Sequence, residues 1–533
     1  RFVAKRTQSI PNPRTLIVAA TLGGGAWAGS LFVTDPEVFL AVGGLDWLPL
    51  VMAGLVGIVA TAYLAVRRRV VITTAVCALV LLVFTVWPVG PRDARMEAAV
   101  AEQSRATRLM LALGDRLLPE RTGTTLSEGA GTCRPGVTQA PAKSLGKLGK
   151  DAPNILLVTF DGVRWDHTSL AGYERDTTPN LKRWAKKGVV FEHAYSNSAS
   201  TRQTFRSLLT GLLPSQLAPS RGSNRWAVSF APDQLTIASY LAAAGYQTTS
   251  IQSAEALDET SNKEFRGFQV RDLTPTQRVK ELGHSSSSHI DRVIAQLSEG
   301  KAGQPRFIFT HLMDAHRPFR AGPRPKRWGN KEADRYDAAI YNVDRQLGRM
   351  IEFVMSPENR DNTLLILTSD HGANLGERGS AGGHGNSLYE SMTRVPLLFF
   401  GKGVKPTRVK APVSLLDLFP TMLDAAGLQS APQACGESLL PVLTGQEKYR
   451  ARPVISEIFP DKTNSHFKIT LVEGDHKLMI DARKGVTQLF NLEQDPAERE
   501  DIAPSDSAQL EKMRSSLREY LVGHAREPKD YGL

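Results

Sequence analysis

Residues 154–162 read NILLVTFDG. From Asn154 to Phe160 the run carries no charge and does not alternate, the pattern of a central strand covered on both faces. It ends abruptly in Asp161. A carboxylate at the carboxyl end of a central strand stands where ligands collect in open α/β sheets. It reads as a metal ligand; the plainer role is to cap the next helix.

Working outward, similar runs recur at Val189–Tyr195, Thr248–Gln252, Arg306–His311, Thr363–Ser369 and Val395–Phe400. Helical stretches fall between them, at Pro179–Lys187, Leu235–Ala244, His289–Leu297 and Tyr336–Val354. This alternation predicts the α/β class, a mainly parallel sheet sandwiched by helices. Beyond residue 450 the pattern changes. Lys468–Val472, Lys477–Ile480 and Thr487–Asn491 predict short antiparallel strands, and a helix is expected at about 506–524. The expected organisation is therefore a catalytic domain over 153–450 and a small C-terminal α+β subdomain over 451–533.

The polar motifs fall where strands end. Thr368-Ser369-Asp370-His371-Gly372 closes one apolar run and offers adjacent oxygen and nitrogen ligands, a pair that suits Zn²⁺ or Mn²⁺. Asp-His-Gly alone is a common turn, and Asp161 makes it a metal-site expectation. The segment 196–211, SNSASTRQTFRSLLTG, is dense in hydroxyls and leads into a helix. A hydroxyl becomes a nucleophile when a metal favours its alkoxide, and a helix N-terminus stabilises anions; the alternative is a capping loop. Of the eleven histidines, His311, His316, His371 and His384 lie in these strand-end loops, where they suit holding anionic oxygens or protonating a leaving group. Arg317, Arg320, Arg324, Lys326 and Arg327 follow His316, either as a basic rim for an anionic substrate or as a solvated loop.

The 533 residues suffice for two or three domains. Net charge is +11, and without zinc-finger spacing or an RNA-binding signature the excess points to an anionic membrane or substrate rather than nucleic acid. Residues 15–34, 48–66 and 70–88 contain no Asp, Glu, Lys or Arg. Each is long enough to cross a hydrocarbon core of about 30 Å. Basic residues before 15 and at Arg67–Arg69, against an acidic loop at 35–47, place the N-terminus in the cytoplasm and everything after residue 90 outside it. The expectation is a multi-pass membrane protein with transmembrane helices over 1–90, an amphipathic helix and linker over 91–152, and an extracytoplasmic catalytic domain. Of three cysteines, Cys133 and Cys435 are candidates for pairing there, with two separate thiols as the alternative.

Residues 153–500 resemble the sulfatase and alkaline-phosphatase superfamily. The matching pieces are NILLVTFDGVRWDH, GYERDTTPNL, SLLTG, HLMDAHRPF, YDAAIYNVDRQLG, TSDHG, LYESMTRVPLLF, DLFPTMLDAAG and QLFNLEQDPAERE, in that order. Sulfatases carry a Cys or Ser, two before a Pro and four before an Arg, that is oxidised to formylglycine. Counting back from Leu208-Leu209-Thr210-Gly211 puts Thr201 at that position, with no such Pro or Arg in register. Thr is not a formylglycine precursor. Ser198-Ala199-Ser200-Thr201-Arg202 imitates the motif three residues out of place, and Gly162 stands where many sulfatases have a second Asp.

These departures make the chain look more like the phosphoethanolamine and phosphoglycerol transferases of bacterial envelopes, which use a Thr nucleophile and hang from membrane helices. That resemblance implies a divalent metal, Zn or Mn ahead of Ca or Mg and one or two per site, bound by Asp161, Thr201, Asp370 and His371. It implies Thr201, His316 and His384 as catalytic residues and His311, His316, His384 and Arg202 as substrate-binding residues. The expected activity is cleavage or transfer of a phosphoryl-type ester on an envelope lipid or polymer. A sulfuric ester hydrolase and a catalytically silent membrane subunit are the alternatives. The C-terminal QLFNLEQDPAERE points toward sulfatases instead.

Overall fold

Asn154–Phe160 forms strand β1 and sits inside a nine-stranded sheet, as its unbroken apolar run requires. The computed structural model describes residues 141–217, 234–253, 265–274, 285–299, 303–322, 328–379, 383–459 and 466–523. The apolar stretches before residue 90, the amphipathic segment, Cys77, Cys133 and residues 323–327 lie outside these. Among the described residues no helix is long and apolar enough to cross a membrane.

The remaining strands of the large sheet are β2 (Val189–Tyr195), β3 (Gln247–Ser253), β4 (Val270–Thr274), β5 (Arg306–Leu312), β6 (Thr363–Ser369), β7 (Arg394–Gly401), β8 (Thr407–Val409) and β9 (Val413–Ser414). Their order is β4-β3-β5-β1-β6-β7-β2-β8, with β9 also on β2. Every pairing is parallel except those of β7 with β6 and with β2. The sheet is thus mainly parallel, as expected, with one reversed strand. β4, β8 and β9 escaped the sequence reading because they are short and carry no continuous apolar run.

Alternation along β1 divides the core. Ile155 and Leu157 pack with Phe307, Phe309, Leu364 and Ile366 on one face, beneath helices Thr201–Thr210, Ile237–Ala244 and Leu418–Ala425. Leu156, Val158 and Phe160 pack with Ile308, Leu365 and Leu367 on the other, beneath helices Ser286–Ser298 and Glu332–Val354. A strand buried on both faces leaves only its ends for polar groups, so the chemistry is driven to the sheet's rim.

The C-terminal part is a four-stranded antiparallel sheet in the order β10 (Val454–Ile458), β11 (Lys468–Glu473), β12 (His476–Asp481), β13 (Val486–Asn491), with helix Ser507–Gly523 on one face. Its edge strand β10 was not anticipated, and it carries the tie to the catalytic domain. Ser456 Oγ donates to the Ser196 carbonyl at 2.5 Å, and Glu457 N donates to the Asn197 carbonyl at 2.8 Å.

A second tie is ionic. Lys477 is wholly buried, with Nζ 2.9 Å from Glu390 Oε1 and 3.0 Å from Glu498 Oε1. The two carboxylates flank one cation, and removing it would leave like charges buried together. Lys477→Met is therefore expected to destabilise the protein by about 3–5 kcal/mol, read as a fall in the denaturant midpoint at unchanged slope.

Candidate active site

The site begins with strand register. Phe160 of β1 lies opposite Leu312 of β5 and Ser369 of β6. The residue that follows β1, Asp161, therefore emerges beside Asp370. Ser369 fastens the two strand ends: its Oγ donates to the Phe160 carbonyl at 2.6 Å and accepts from Val163 N at 2.9 Å. Asp370 Oδ1 accepts from Gly162 N at 3.1 Å and His371 N at 2.9 Å.

What these bonds leave over is as informative. Asp161 Oδ1 and Asp370 Oδ2 are buried without a hydrogen-bond partner. His371 Nδ1 lies 2.7 Å from the Gly372 carbonyl, so Nδ1 carries the ring proton and Nε2 presents its lone pair to the site. Donor atoms of Asp161, Asp370 and His371 all lie within 4.8 Å of one another. Gly372 is required for this placement, because a Cβ there would sit 1.9 Å from the Ser391 carbonyl oxygen.

Electrostatics follow the same geometry. Burial alone would raise the Asp161 carboxyl, but the His311 hydrogen bond and the charges of His316 and His371 hold it far below the usual range. Burial, with the Asp161 charge beside it, pushes Asp370 up. Two buried, converging carboxylates with unpartnered oxygens and one imidazole lone pair fit a divalent cation. Asp161, Asp370 and His371 would hold it.

Thr201 completes the cluster. It is the first residue of helix Thr201–Thr210, after Ser200 in extended backbone. Its Oγ1 is 3.1 Å from His371 Nε2 and 3.3 Å from Asp161 Oδ2. The neighbouring hydroxyls are committed inside the loop. Ser196 Oγ bonds to the Ser198 and Asp370 carbonyls, and Ser198 Oγ donates to Gln203 Oε1 at 3.0 Å. Gln203, standing at the Pro position of the sulfatase motif, also donates through Nε2 to the Phe459 carbonyl at 2.7 Å and accepts from Phe459 N at 3.1 Å. Nothing in a lone Gln signals that role.

The other expected residues separate. His384 is exposed and stacks on His371 with ring centroids 4.5 Å apart, and its Nε2 is 3.4 Å from His316 Nε2. Desolvation, with the charge of His371, pulls His384 down to about 4. Both rings stand at the mouth of the cluster, with exposed Arg202 next to Thr201 in the chain. His311 is instead fully buried behind Asp161, with Nε2 3.2 Å from Asp161 Oδ2 and Nδ1 2.9 Å from Thr159 Oγ1. Its route to a substrate runs through Asp161. In the basic rim, Arg317 pairs with Glu332. Cys435 is disulfide-bonded.

Comparison with known proteins bears directly on this site. The model of the sulfatase family matches residues 153–428, and that of the N-sulphoglucosamine sulphohydrolase C-terminal region matches 384–527. A Delta 4,5-hexuronate-2-O-sulfatase of Bacteroides thetaiotaomicron is 22% identical over 452 residues, covering 72% of this chain and 91% of the relative. A choline-sulfatase of Rhizobium meliloti is 34% identical over 187 residues, 34% of this chain and 35% of the relative. Among solved structures, a 2-O GAG sulfatase superposes with a TM-score of 0.56 at 21% identity, covering 70% of this chain and 92% of its own. A phosphonate monoester hydrolase of Silicibacter pomeroyi superposes with a TM-score of 0.55 at 20% identity, covering 69% and 95%. These structural likenesses show the fold. The family matches overturn the phosphoryl-transfer expectation, which rested on Thr201 and the single Asp161. The C-terminal match extends the agreement to the segment that had pointed toward sulfatases. The chain belongs to the sulfatase family.

Proposed function

We propose that the chain is a sulfuric ester hydrolase that uses an unmodified Thr201 hydroxyl at a divalent-cation site. The observation that carries this reading is the position of Thr201 Oγ1, 3.1 Å from His371 Nε2 and 3.3 Å from Asp161 Oδ2, at the start of a helix. Oxidation at a Thr Cβ gives a methyl ketone and not an aldehyde, so turnover runs on the hydroxyl itself.

A divalent cation held by Asp161, Asp370 and His371 would lower the pKa of the Thr201 hydroxyl and balance charge on the sulfate oxygens. Two carboxylates, an imidazole and a hydroxyl suit zinc or manganese better than calcium, which takes six to eight oxygens. Thr201 Oγ1 bonds to sulfur as the ester O–S bond breaks. Its proton goes to solvent water, and His316 protonates the departing alkoxide. His384 Nε2 lies 3.4 Å from His316 Nε2, beside that acid. Water then attacks the sulfur, releases hydrogen sulfate and restores Thr201. The apolar and basic pattern before residue 90 supports an extracytoplasmic, membrane-anchored setting.

The full chain loaded with manganese or zinc is expected to release sulfate from an aryl sulfate. Thr201→Ala should lower kcat by about 10³-fold or more, and a mass spectrum of the peptide 196–206 from a quenched reaction should show sulfate on Thr201. Full activity in Thr201→Ala would sink the mechanism. A loaded chain that binds sulfated ligands without releasing sulfate would make it a non-hydrolytic member of the family.

Chelation is expected to lower the melting temperature. Re-addition of cation at about 100 times its Kd should restore about 2.7 kcal/mol of stability, and Asp370→Asn should abolish that response.

A further inference from the structure

We infer that His311 is a positioning residue for the cation site: braced by Thr159, it holds Asp161 by Oδ2, which also meets Thr201 Oγ1, and leaves Oδ1 for the cation. This rests on the cation reading of Asp161, Asp370 and His371, and is independent of which ester is cleaved.

The parallel register sets up the arrangement. Thr159 is on β1, Asp161 is the first residue after it, and His311 of β5 lies directly opposite Thr159. Its ring therefore spans both side chains. Nε2 is 3.2 Å from Asp161 Oδ2, and Nδ1 is 2.9 Å from Thr159 Oγ1. The alternative acceptor for the Thr159 hydroxyl, the Thr310 carbonyl, is farther away at 3.4 Å. With Nδ1 on the Thr159 hydroxyl, the ring turns Nε2–H toward Asp161, which accepts it through Oδ2. Every donor in the chain Thr159–His311–Asp161 then has an acceptor. The one atom left over is Asp161 Oδ1, buried and unpartnered.

The ring is also clamped. Phe205 meets it edge-on with centroids 4.8 Å apart, and His289 Nδ1 lies 3.1 Å from the His311 backbone oxygen. Phe205 is the residue at the Arg position of the sulfatase nucleophile motif. In this chain that position packs on a histidine that itself contacts the metal-ligand carboxylate. A carboxylate with both oxygens free rotates about its last bond and samples several ligation modes. Fixing one oxygen with a donor selects a single mode before the cation arrives.

The test is isothermal titration of manganese, and separately zinc, into the chelator-stripped full chain. His311→Ala is expected to weaken cation affinity roughly 10–100-fold. Thr159→Val should act in the same direction by less, and His311→Gln, whose amide reaches the place of Nε2, should recover most of the loss. Melting temperatures in chelator separate folding from binding. If His311→Ala does not fold, Thr159→Val and His311→Gln decide. An unchanged Kd in a folded His311→Ala or in Thr159→Val overturns the proposal. A wild-type chain that binds neither metal overturns both it and the cation reading.

Discussion

Two carboxylates buried side by side are the constraint around which this structure is arranged. Donor atoms of Asp161, Asp370 and His371 lie within 4.8 Å of one another, and both acids are buried. Two like charges at about 4 Å repel by about 4 kcal/mol at an effective dielectric of 20. Holding them together requires a rigid frame, and the frame is the β5-β1-β6 core, whose strands are buried on both faces and cannot slip without turning apolar side chains outward. Ser369 fastens the strand ends, Gly372 lets the loop pass Ser391, and backbone N–H groups take one oxygen of Asp370. The repulsion that remains is what gives the site its appetite for a cation.

How much of this was legible in the chain depended on whether a feature is local. Continuous apolar runs announced β1, β2, β5, β6 and β7, and Asp161 and Asp370-His371 stood at their ends. Thr201 was found by counting back from Leu208-Leu209-Thr210-Gly211 along the motif spacing that the resemblance to sulfatases implies. The direction of β7 was not legible, since an apolar run has no sense of direction. Nor was the edge strand β10, whose five residues matter through their contacts with Ser196 and Asn197. His311 looked like His316 and His384 in the sequence. Only the β1–β5 register shows that it faces Asp161 from inside while the others stand at the mouth.

The chemistry of the ester was less legible still. Sulfate and phosphate esters present similar tetrahedral oxyanions, and two acids, a histidine and a hydroxyl suit either. Thr201 and a lone Asp161 favoured phosphorus when read as isolated residues. The family matches over 153–428 and 384–527 draw on the rest of the chain, including the C-terminal sheet that those residues say nothing about.

The β10 tie has a consequence for biosynthesis. The cluster needs residue 161, the loop at 196–201, and residues 370 and 371, while the loop itself is held from behind by Ser456 and Glu457. A ribosome delivers these in sequence, nearly three hundred residues from first to last. Until β10 emerges, the loop at 196–201 lacks its backing, and until β6 emerges Asp161 has no partner acid. The nascent domain therefore passes through most of its synthesis without a finished site, a late assembly imposed by long-range contacts.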